Sequence, residues 1–140
     1  MEIKIKKLQP DAIIPSYAHP GDIGMDLYSR EDYVIEPNTS HLFDIGIAME
    51  FDEGYGAIVM DKGSVSKQGV HTMGGVFDAG YRGTYMIHLF NHGAKPFEVK
   101  KGQKIAQIVV LPVQIPTLTE VNELSDSARG EGAFGSTGKF

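Results

Sequence analysis

Apolar residues recur at every second position in several short stretches of the chain, which is the spacing of β-strands that bury one face. These stretches contain Ile3 and Ile5; Leu42, Phe43, Ile45 and Ile47; Tyr85, Ile87 and Leu89; and Ile105, Val109 and Leu111. Turn-forming pairs such as Pro20-Gly21 and Lys101-Gly102 separate them, at intervals typical of a compact antiparallel sandwich or barrel. Only residues 64–68 and the shorter stretch 125–128 have the character of a helical turn. The pattern predicts an all-β fold.

Length and composition fit one globular domain. The chain has 140 residues, of which 41% are hydrophobic and 22% charged, so disordered and fibrous classes are excluded. Seventeen glycines and seven prolines exclude a helical bundle. The absence of cysteine excludes a disulfide framework, a thiolate metal site and a cysteine nucleophile. No apolar run is long enough to span a membrane, so we expect a soluble, cytoplasmic protein without a membrane partner.

The charge of the chain limits the ligands that it can bind. A formal net charge of −5 provides no basic field of the kind that holds nucleic acid through its phosphates, so we expect no nucleic-acid partner. The five histidines are scattered without metal-ligand spacing, and no P-loop sequence is present. A polyanionic ligand must therefore be bound by a local pocket.

Residues 74–83 form a glycine-rich segment that is typical of a hairpin in which backbone approaches another group closely. Asp78 and Tyr81 are then expected on a tight turn. A carboxylate at Asp78 is either a solvated turn residue or a general base that orients water. The spacing alone favours neither interpretation.

Three further positions carry a structural and a functional interpretation. Lys62, Gly63 and Ser64 follow an apolar strand and precede the possible helical turn, a place suited to an anion site, although N-capping by Ser64 is the simpler explanation. Gln107, inside an apolar strand, either satisfies a neighbouring loop or faces a ligand. Asp26 is either a strand-end turn residue or a catalytic or metal-linked acid.

The C-terminal residues 129–138 contain four glycines in ten positions and cannot bury enough surface to order themselves on this chain alone. We therefore expect a β-barrel domain over residues 1–124 and a flexible arm over residues 125–140. A frayed terminus is the simpler interpretation of this arm. The alternative is a lid over a nucleotide, with Arg129 as a planar fork for phosphate and Phe134 as a stacking face.

Five segments, taken in order, resemble the five motifs of the trimeric dUTPase family, and together they extend over nearly the whole chain. They are residues 24–28, 61–66, 75–83, 102–107 and 129–138. The resemblance implies a distorted β-barrel or jelly-roll subunit that forms a homotrimer with shared active sites and a flexible C-terminal arm. It also implies a dUTP diphosphatase, which hydrolyses dUTP to dUMP and pyrophosphate, limits uracil in DNA and supplies dUMP for thymidylate synthesis.

The resemblance also implies residue roles. Asp78 would activate the water that attacks the α-phosphorus, Asp26 would support metal-bound water, and Arg129 would clamp the γ-phosphate. The cofactor would be Mg²⁺, held by the triphosphate and water rather than directly by the protein. The implied substrate-binding residues are Lys62, Gly63, Ser64 and Gln107 at the phosphates, Gly75, Val76 and Met86 at uracil, Tyr81 under the deoxyribose, and Phe134, Gly135, Ser136 and Thr137 from the arm, with Phe134 stacked on uracil.

Two departures and two alternatives accompany the resemblance. The family's second motif commonly reads Arg-Ser-Gly, and Lys62 in place of the arginine cannot give its bidentate fork. The hydroxyl is also moved by one place, so its contact comes from Ser64, comes from Ser66 or is lost. A dCTP deaminase of the same fold would carry a glutamate in the strand after the third motif, where this chain has the acid-free residues 85–88. A non-catalytic nucleotide-binding trimer would have lost Asp78, Tyr81 or Arg129, and all three are present.

Overall fold

A computed structural model describes residues 1–133, and over that range it contains eleven strands and one short helix. The elements are β1 (Lys4–Lys7), β2 (Gly24–Tyr28), β3 (Tyr33–Ile35), β4 (Ser40–Asp44), β5 (Ile47–Glu50), β6 (Tyr55–Asp61), α1 (Gly63–Ser66), β7 (Val70–Thr72), β8 (Val76–Asp78), β9 (Met86–Asn91), β10 (Phe97–Val99) and β11 (Lys104–Pro112). The all-β prediction is confirmed. None of the helices in the described range is long and apolar enough to cross a membrane.

All strands pair antiparallel, in four small sheets that enclose one core. The largest sheet has the order β2-β11-β6-β8, and the next has the order β4-β9-β7, while β1 pairs with β5 and β3 with β10. Every sheet contributes buried side chains to a single apolar cluster. Strand β9 illustrates the period-two pattern, because Ile87, Leu89 and Asn91 are buried while the residues between them are half-buried. This arrangement is the expected distorted barrel.

The apolar run from Leu42 to Ile47 is two strands rather than the single strand that its alternation predicts. Gly46 interrupts it with a φ of +70°, and its N–H donates to Asp44 Oδ1 at 2.7 Å. The chain then passes from the sheet of β4 to the sheet of β5. Residues Ile45 and Ile47 flank this turn and bond to the backbone of Tyr85. The turn at Gly46 thereby lies against the start of β9.

The helical turn predicted near residues 64–68 is present as α1, but Ser64 does not cap it. Lys62 is the N-cap residue, and its carbonyl accepts hydrogen bonds from the N–H groups of Val65 and Ser66. The N-capping interpretation of Ser64 is therefore wrong. The second predicted turn, at residues 125–128, is also wrong: these residues are exposed and have no helix, because a single turn without packing does not offset the cost of nucleation.

Candidate active site

Asp26 lies in the middle of β2, opposite Gln107 of β11, and only 4% of it is exposed. Lys62 Nζ donates to its Oδ1 at 2.7 Å, and Lys104 Nζ lies 2.6 Å from its Oδ2. Burial opposes ionisation of Asp26, but the hydrogen bonds from Lys104 and Lys62 outweigh burial and hold its pKa below the usual value. Asp26 is thus an ionised, buried carboxylate rather than a turn residue at a strand end.

A cavity of about 360 Å³ opens beside this carboxylate. Its wall includes Asp26, Lys62, Gly24 and Gln107. The Nε2 of Gln107 donates to the backbone carbonyl of Asp61 at 2.9 Å, and its Oε1 lies where a Cβ on residue 24 would overlap it. Gln107 therefore satisfies a neighbouring loop and also lines a polar cavity, so both interpretations from the sequence apply to it.

Asp61 holds together the two strands that flank the Lys62 turn, and the sequence interpretation missed it. Its Oδ1 accepts from Thr72 N at 2.7 Å and Thr72 Oγ1 at 2.9 Å, and its Oδ2 lies 2.7 Å from His71 Nδ1. Burial by itself would raise the pKa of Asp61. The hydrogen bonds from Thr72 and His71 have the larger, opposite effect, so the pKa of Asp61 is below its ordinary value. A carboxylate ending an apolar strand, directly before Lys62, is the signal that would have identified it.

Lys104 is a second residue that the sequence interpretation missed. It lies next to Ile105 in the fourth motif segment, but its partner Asp26 is on another strand. The side chain is 40% exposed, and the hydrogen bond to Asp26 raises its pKa. A basic residue at the start of a strand that carries Gln107 is a weak signal, because only the register of β11 against β2 brings the two charges together.

Asp78 ends the short strand β8 and is exposed. Its backbone carbonyl accepts from Tyr81 N at 3.0 Å, whereas its carboxylate makes no hydrogen bond or ion pair with the part of the chain that is described. A groove of about 510 Å³ runs alongside, lined in part by Gly56, Val76 and Ile115. Asp78 is therefore a carboxylate available to water or a ligand.

The glycine-rich segment does not form the expected hairpin. The strands on either side of the segment, β7 and β9, pair with each other. Strand β8, which lies within the segment, belongs to the other sheet and pairs with β6. Val76 and Met86 therefore lie on strands of different sheets, and Val76 is 74% exposed. Gly75 makes the crossing possible, because its φ is +113° and a Cβ there would come within 2.7 Å of Val59 Cβ.

Tyr81 follows Asp78 on the connection between β8 and β9, and 40% of it is exposed. Its hydroxyl donates to the carbonyl of Thr84 at 2.9 Å. Its ring lies near Phe77 and Tyr85, with centroids 5.8 and 5.9 Å apart. The turn thus carries an exposed carboxylate and a partly exposed aromatic ring on residues whose backbones are hydrogen-bonded to each other.

One chain does not bring Asp78 and Lys62 together. Asp78 pairs with Gly56 near the start of β6, and Lys62 follows the last residue of that strand, six residues beyond Gly56. At about 3.3 Å per residue, the two lie roughly 20 Å apart along β6. Asp26 is also remote from Asp78, because β2 and β8 are the opposite edges of the four-stranded sheet.

Arg129, the C-terminal candidate within the described residues, lines neither cavity. Arg129 is exposed, and its Nε donates to the carbonyl of Gly132 at 2.8 Å, within the same segment. The remaining arm candidates, Phe134, Gly135, Ser136 and Thr137, lie outside the described residues.

Comparison with known sequences identifies a family. The dUTPase family model matches residues 10–138. The deoxyuridine 5'-triphosphate nucleotidohydrolase of Clostridium tetani (strain Massachusetts / E88) is 47% identical over 98% of this chain and 97% of its own length. The protein of the same name from Clostridioides difficile is 48% identical over 97% of each chain.

Solved structures agree with the sequence comparison. The dUTPase of Staphylococcus bacteriophage 80alpha with dUpNHpp superposes with a TM-score of 0.91 and 28% identity, covering 98% of each chain. A dUTPase from phage phi11 of S. aureus, described for its coordination of a structural Mg(II) ion, has a TM-score of 0.82 and 24% identity over 90% of this chain and all of its own. At that identity the likeness bears on the fold alone.

Proposed function

The chain belongs to the dUTPase family and is an enzyme that hydrolyses dUTP to dUMP and pyrophosphate; from this premise we propose that its active sites are shared between the subunits of a homotrimer. The observation that carries the proposal is the separation of roughly 20 Å along β6 between Asp78 and Lys62. An attack on the α-phosphorus needs the base and the phosphate-binding cation around one triphosphate. Two chains supply them when the Asp78 turn of one subunit faces the Lys62 cavity of another.

Exposed apolar side chains support the assembly. Beyond β11, Ile115, Leu118 and Leu124 are 79%, 90% and 88% exposed, and Ile115 and Val76 line the groove beside Asp78. Exposed apolar side chains that line one groove, as Ile115 and Val76 do, mark a surface that another chain covers. A second and a third copy of the subunit would bury these positions and close the groove.

Asp78 is the proposed general base. Its carboxylate has no described partner, so it is available to accept a proton from water. The water oxygen forms a bond to the α-phosphorus, the bond from that phosphorus to the bridging oxygen breaks, and pyrophosphate leaves with the electron pair. The proton of the attacking water passes to Asp78.

Lys62, Gly63, Ser64 and Gln107 are proposed to bind the phosphates. Lys62 Nζ and Gln107 line the same cavity as Asp26, so cationic and amide donors already converge there. Mg²⁺ fits this site through water rather than through direct ligation, because both oxygens of Asp26 lie within 2.7 Å of an ammonium nitrogen. Bound with the triphosphate, Mg²⁺ would offset phosphate charge. Asp26 would accept a hydrogen bond from its water shell.

The turn and the arm are proposed to select and enclose the nucleoside. The backbone near Gly75, Val76 and Met86 would bond to the uracil edge, and Tyr81 would lie under the deoxyribose. The arm over residues 125–140 would close on the domain over residues 1–124. Arg129 of this arm would bind the γ-phosphate. Phe134, with Gly135, Ser136 and Thr137, would cover the base.

The test is the variant Asp78→Asn, which keeps the size of the side chain and removes the base. We expect pyrophosphate release from dUTP to fall by at least about 10²-fold, because positioned general bases contribute that much or more. Binding of a non-hydrolysable dUTP analogue, measured by calorimetry, should stay near the wild-type value.

The matched control is Asp52→Asn, at an exposed aspartate in the loop after β5, which should leave turnover unchanged. An Asp78→Asn enzyme that turns over dUTP at the wild-type rate would remove Asp78 from the mechanism. Ammonia release from dCTP by the wild-type protein would instead favour the deaminase alternative.

A further inference from the structure

The Tyr81 ring has one polar anchor. It packs near Phe77 and Tyr85, and 40% of the residue remains exposed. The hydrogen bond from its hydroxyl to the Thr84 carbonyl is the described contact that fixes the far end of the ring. Gly83 lies directly against that end, since a Cβ on residue 83 would overlap the Tyr81 hydroxyl oxygen. The direction of the ring therefore depends on where Thr84 is held.

Thr84 is held by its own side chain. Its Oγ1 donates to Asp44 Oδ1 at 2.7 Å, across 40 positions of sequence. The same oxygen of Asp44 accepts from Gly46 N at 2.7 Å, and Arg30 Nη1 lies 3.5 Å from the other oxygen. The turn at the end of β4 thus presents a carboxylate that is already fixed by a backbone donor and a guanidinium.

Arg30 continues this network into the body of the barrel. Its Nε donates to Asp11 Oδ1 at 2.8 Å, and Lys101 Nζ lies 2.6 Å from the other oxygen of Asp11. A continuous series of polar contacts therefore runs from the Tyr81 hydroxyl through Thr84, Asp44 and Arg30 to Asp11. It joins the exposed turn to three loops of the fold.

We propose that Thr84 and Asp44 are positioning residues that set the orientation of the Tyr81 ring and thereby the discrimination between deoxyribose and ribose. The inference rests on the proposed placement of Tyr81 under the sugar. An aromatic wall rejects a 2′-hydroxyl only if it stands close to the sugar, and small displacements of positioning groups change rates strongly. When the hydrogen bond from Thr84 to Asp44 is lost, the Tyr81 ring can tilt away from the sugar and leave room for a 2′-hydroxyl.

The test is Thr84→Val, which keeps the shape of the side chain and removes the hydroxyl. Asp44 retains Gly46 N and Arg30 as partners, so the fold should tolerate the change. We expect the ratio of kcat/KM for dUTP to kcat/KM for UTP to fall roughly tenfold, within the range that a displaced positioning group produces. Thr84→Ser, which keeps the hydroxyl, should restore the ratio.

Two further variants keep the test decisive. The control is Thr39→Val, at the residue just before β4. It removes a hydrogen bond from the Thr39 hydroxyl to Glu36 O, whose length of 2.8 Å is similar to that of the Thr84 bond. This variant should leave the ratio of kcat/KM for dUTP to kcat/KM for UTP unchanged. Gly83→Ala places a methyl group against the Tyr81 hydroxyl and should lower the ratio even if Thr84→Val does not fold.

The outcomes separate this inference from the function on which it rests. Tyr81→Ala should abolish the discrimination; if it does not, the proposed placement of Tyr81 is wrong. If Tyr81→Ala abolishes it while a folded Thr84→Val keeps the wild-type ratio, the positioning role of Thr84 and Asp44 is wrong; if Thr84→Val does not fold, an unchanged ratio in Gly83→Ala overturns that role instead. A ratio that falls in Thr84→Val and returns in Thr84→Ser supports it.

Discussion

Tyr85 is a fully buried tyrosine behind the Asp78 turn, stacked on Phe77 with centroids 4.0 Å apart. Its hydroxyl has no hydrogen-bond partner within the described residues. Burial raises the pKa of Tyr85 to about 12, so the hydroxyl is neutral under all ordinary conditions. A buried hydroxyl without a hydrogen-bond partner lowers the stability of the fold, because no hydrogen bond offsets the free energy of removing it from water.

Tyr85→Phe should therefore raise the free energy of unfolding, by about 1 kcal/mol, since it removes the unpaired group and keeps the stacked ring. Urea unfolding followed by circular dichroism measures the change. Tyr17→Phe, at a tyrosine that is 52% exposed, is the matched control and should have no effect. A clear loss of stability in Tyr85→Phe would mean that the hydroxyl has a partner in the assembled protein.

At the scale of elements, Asp11 is the contact between loops that are distant in sequence. It precedes β2 and bonds to Arg30, just after β2, and to Lys101, just before β11. Hydrogen bonds from Lys101 and Arg30 lower the pKa of Asp11 from 3.8 to about 2. A carboxyl group whose pKa is lower in the folded state than in the unfolded state stabilises the fold at pH values above its unfolded-state pKa. This contribution is lost as the pH falls through its folded-state pKa.

Asp11→Asn should lower the stability of the fold at neutral pH, and the difference from wild type should narrow as pH falls from about 4 towards 2. The free energy of unfolding in urea, measured at several pH values, gives this curve. Asp52→Asn should show no such pH-dependent difference. If the Asp11→Asn difference were constant with pH, its origin would be lost packing rather than lost ionic contacts.

The sequence predicts strands where burial alternates, and it fails where the chain changes sheet. The run through Ile87 and Leu89 is confirmed as β9, in which half-buried and buried side chains alternate, and the run from Ile105 to Leu111 is confirmed as β11, although burial along β11 does not alternate strictly. At Gly46 the apolar pattern continues although the pairing changes, so alternation cannot locate the break. The same limit applies to β8, whose pairing with β6 depends on contacts of Gly75 that are not encoded locally.

Charge pairing in the candidate site was beyond prediction for a related reason. Asp26, Lys62 and Lys104 were each visible as polar residues beside apolar strands, but their contact requires three elements to be in register. Residue type therefore indicates which side chains are candidates for the chemistry. Only the fold determines that Lys62 binds Asp26 in the isolated chain.

At the scale of the whole molecule, the folded chain holds apart the two parts of the proposed active site, which we call half-sites. One is the Asp26 and Lys62 cavity, and the other is the Asp78 groove with the Tyr81 turn. Because both are built on the β6 sheet, no rearrangement of a loop brings them together without dismantling the strands. In the proposed assembly, association of identical chains places one half-site opposite the other, and closed cyclic symmetry repeats this contact at every interface.

Co-expression of Asp78→Asn and Lys62→Met chains under different tags, followed by tandem purification of the mixed assemblies, tests this arrangement directly. Each variant alone should be nearly inactive. If the two half-sites come from neighbouring subunits of a closed trimer, every mixed trimer has one intact site out of three, and dUTP hydrolysis returns to about a third of the wild-type level. Asp78→Asn mixed with the double variant is the control and should stay inactive. Mixed assemblies that remain as inactive as either parent would mean that one chain holds the whole site.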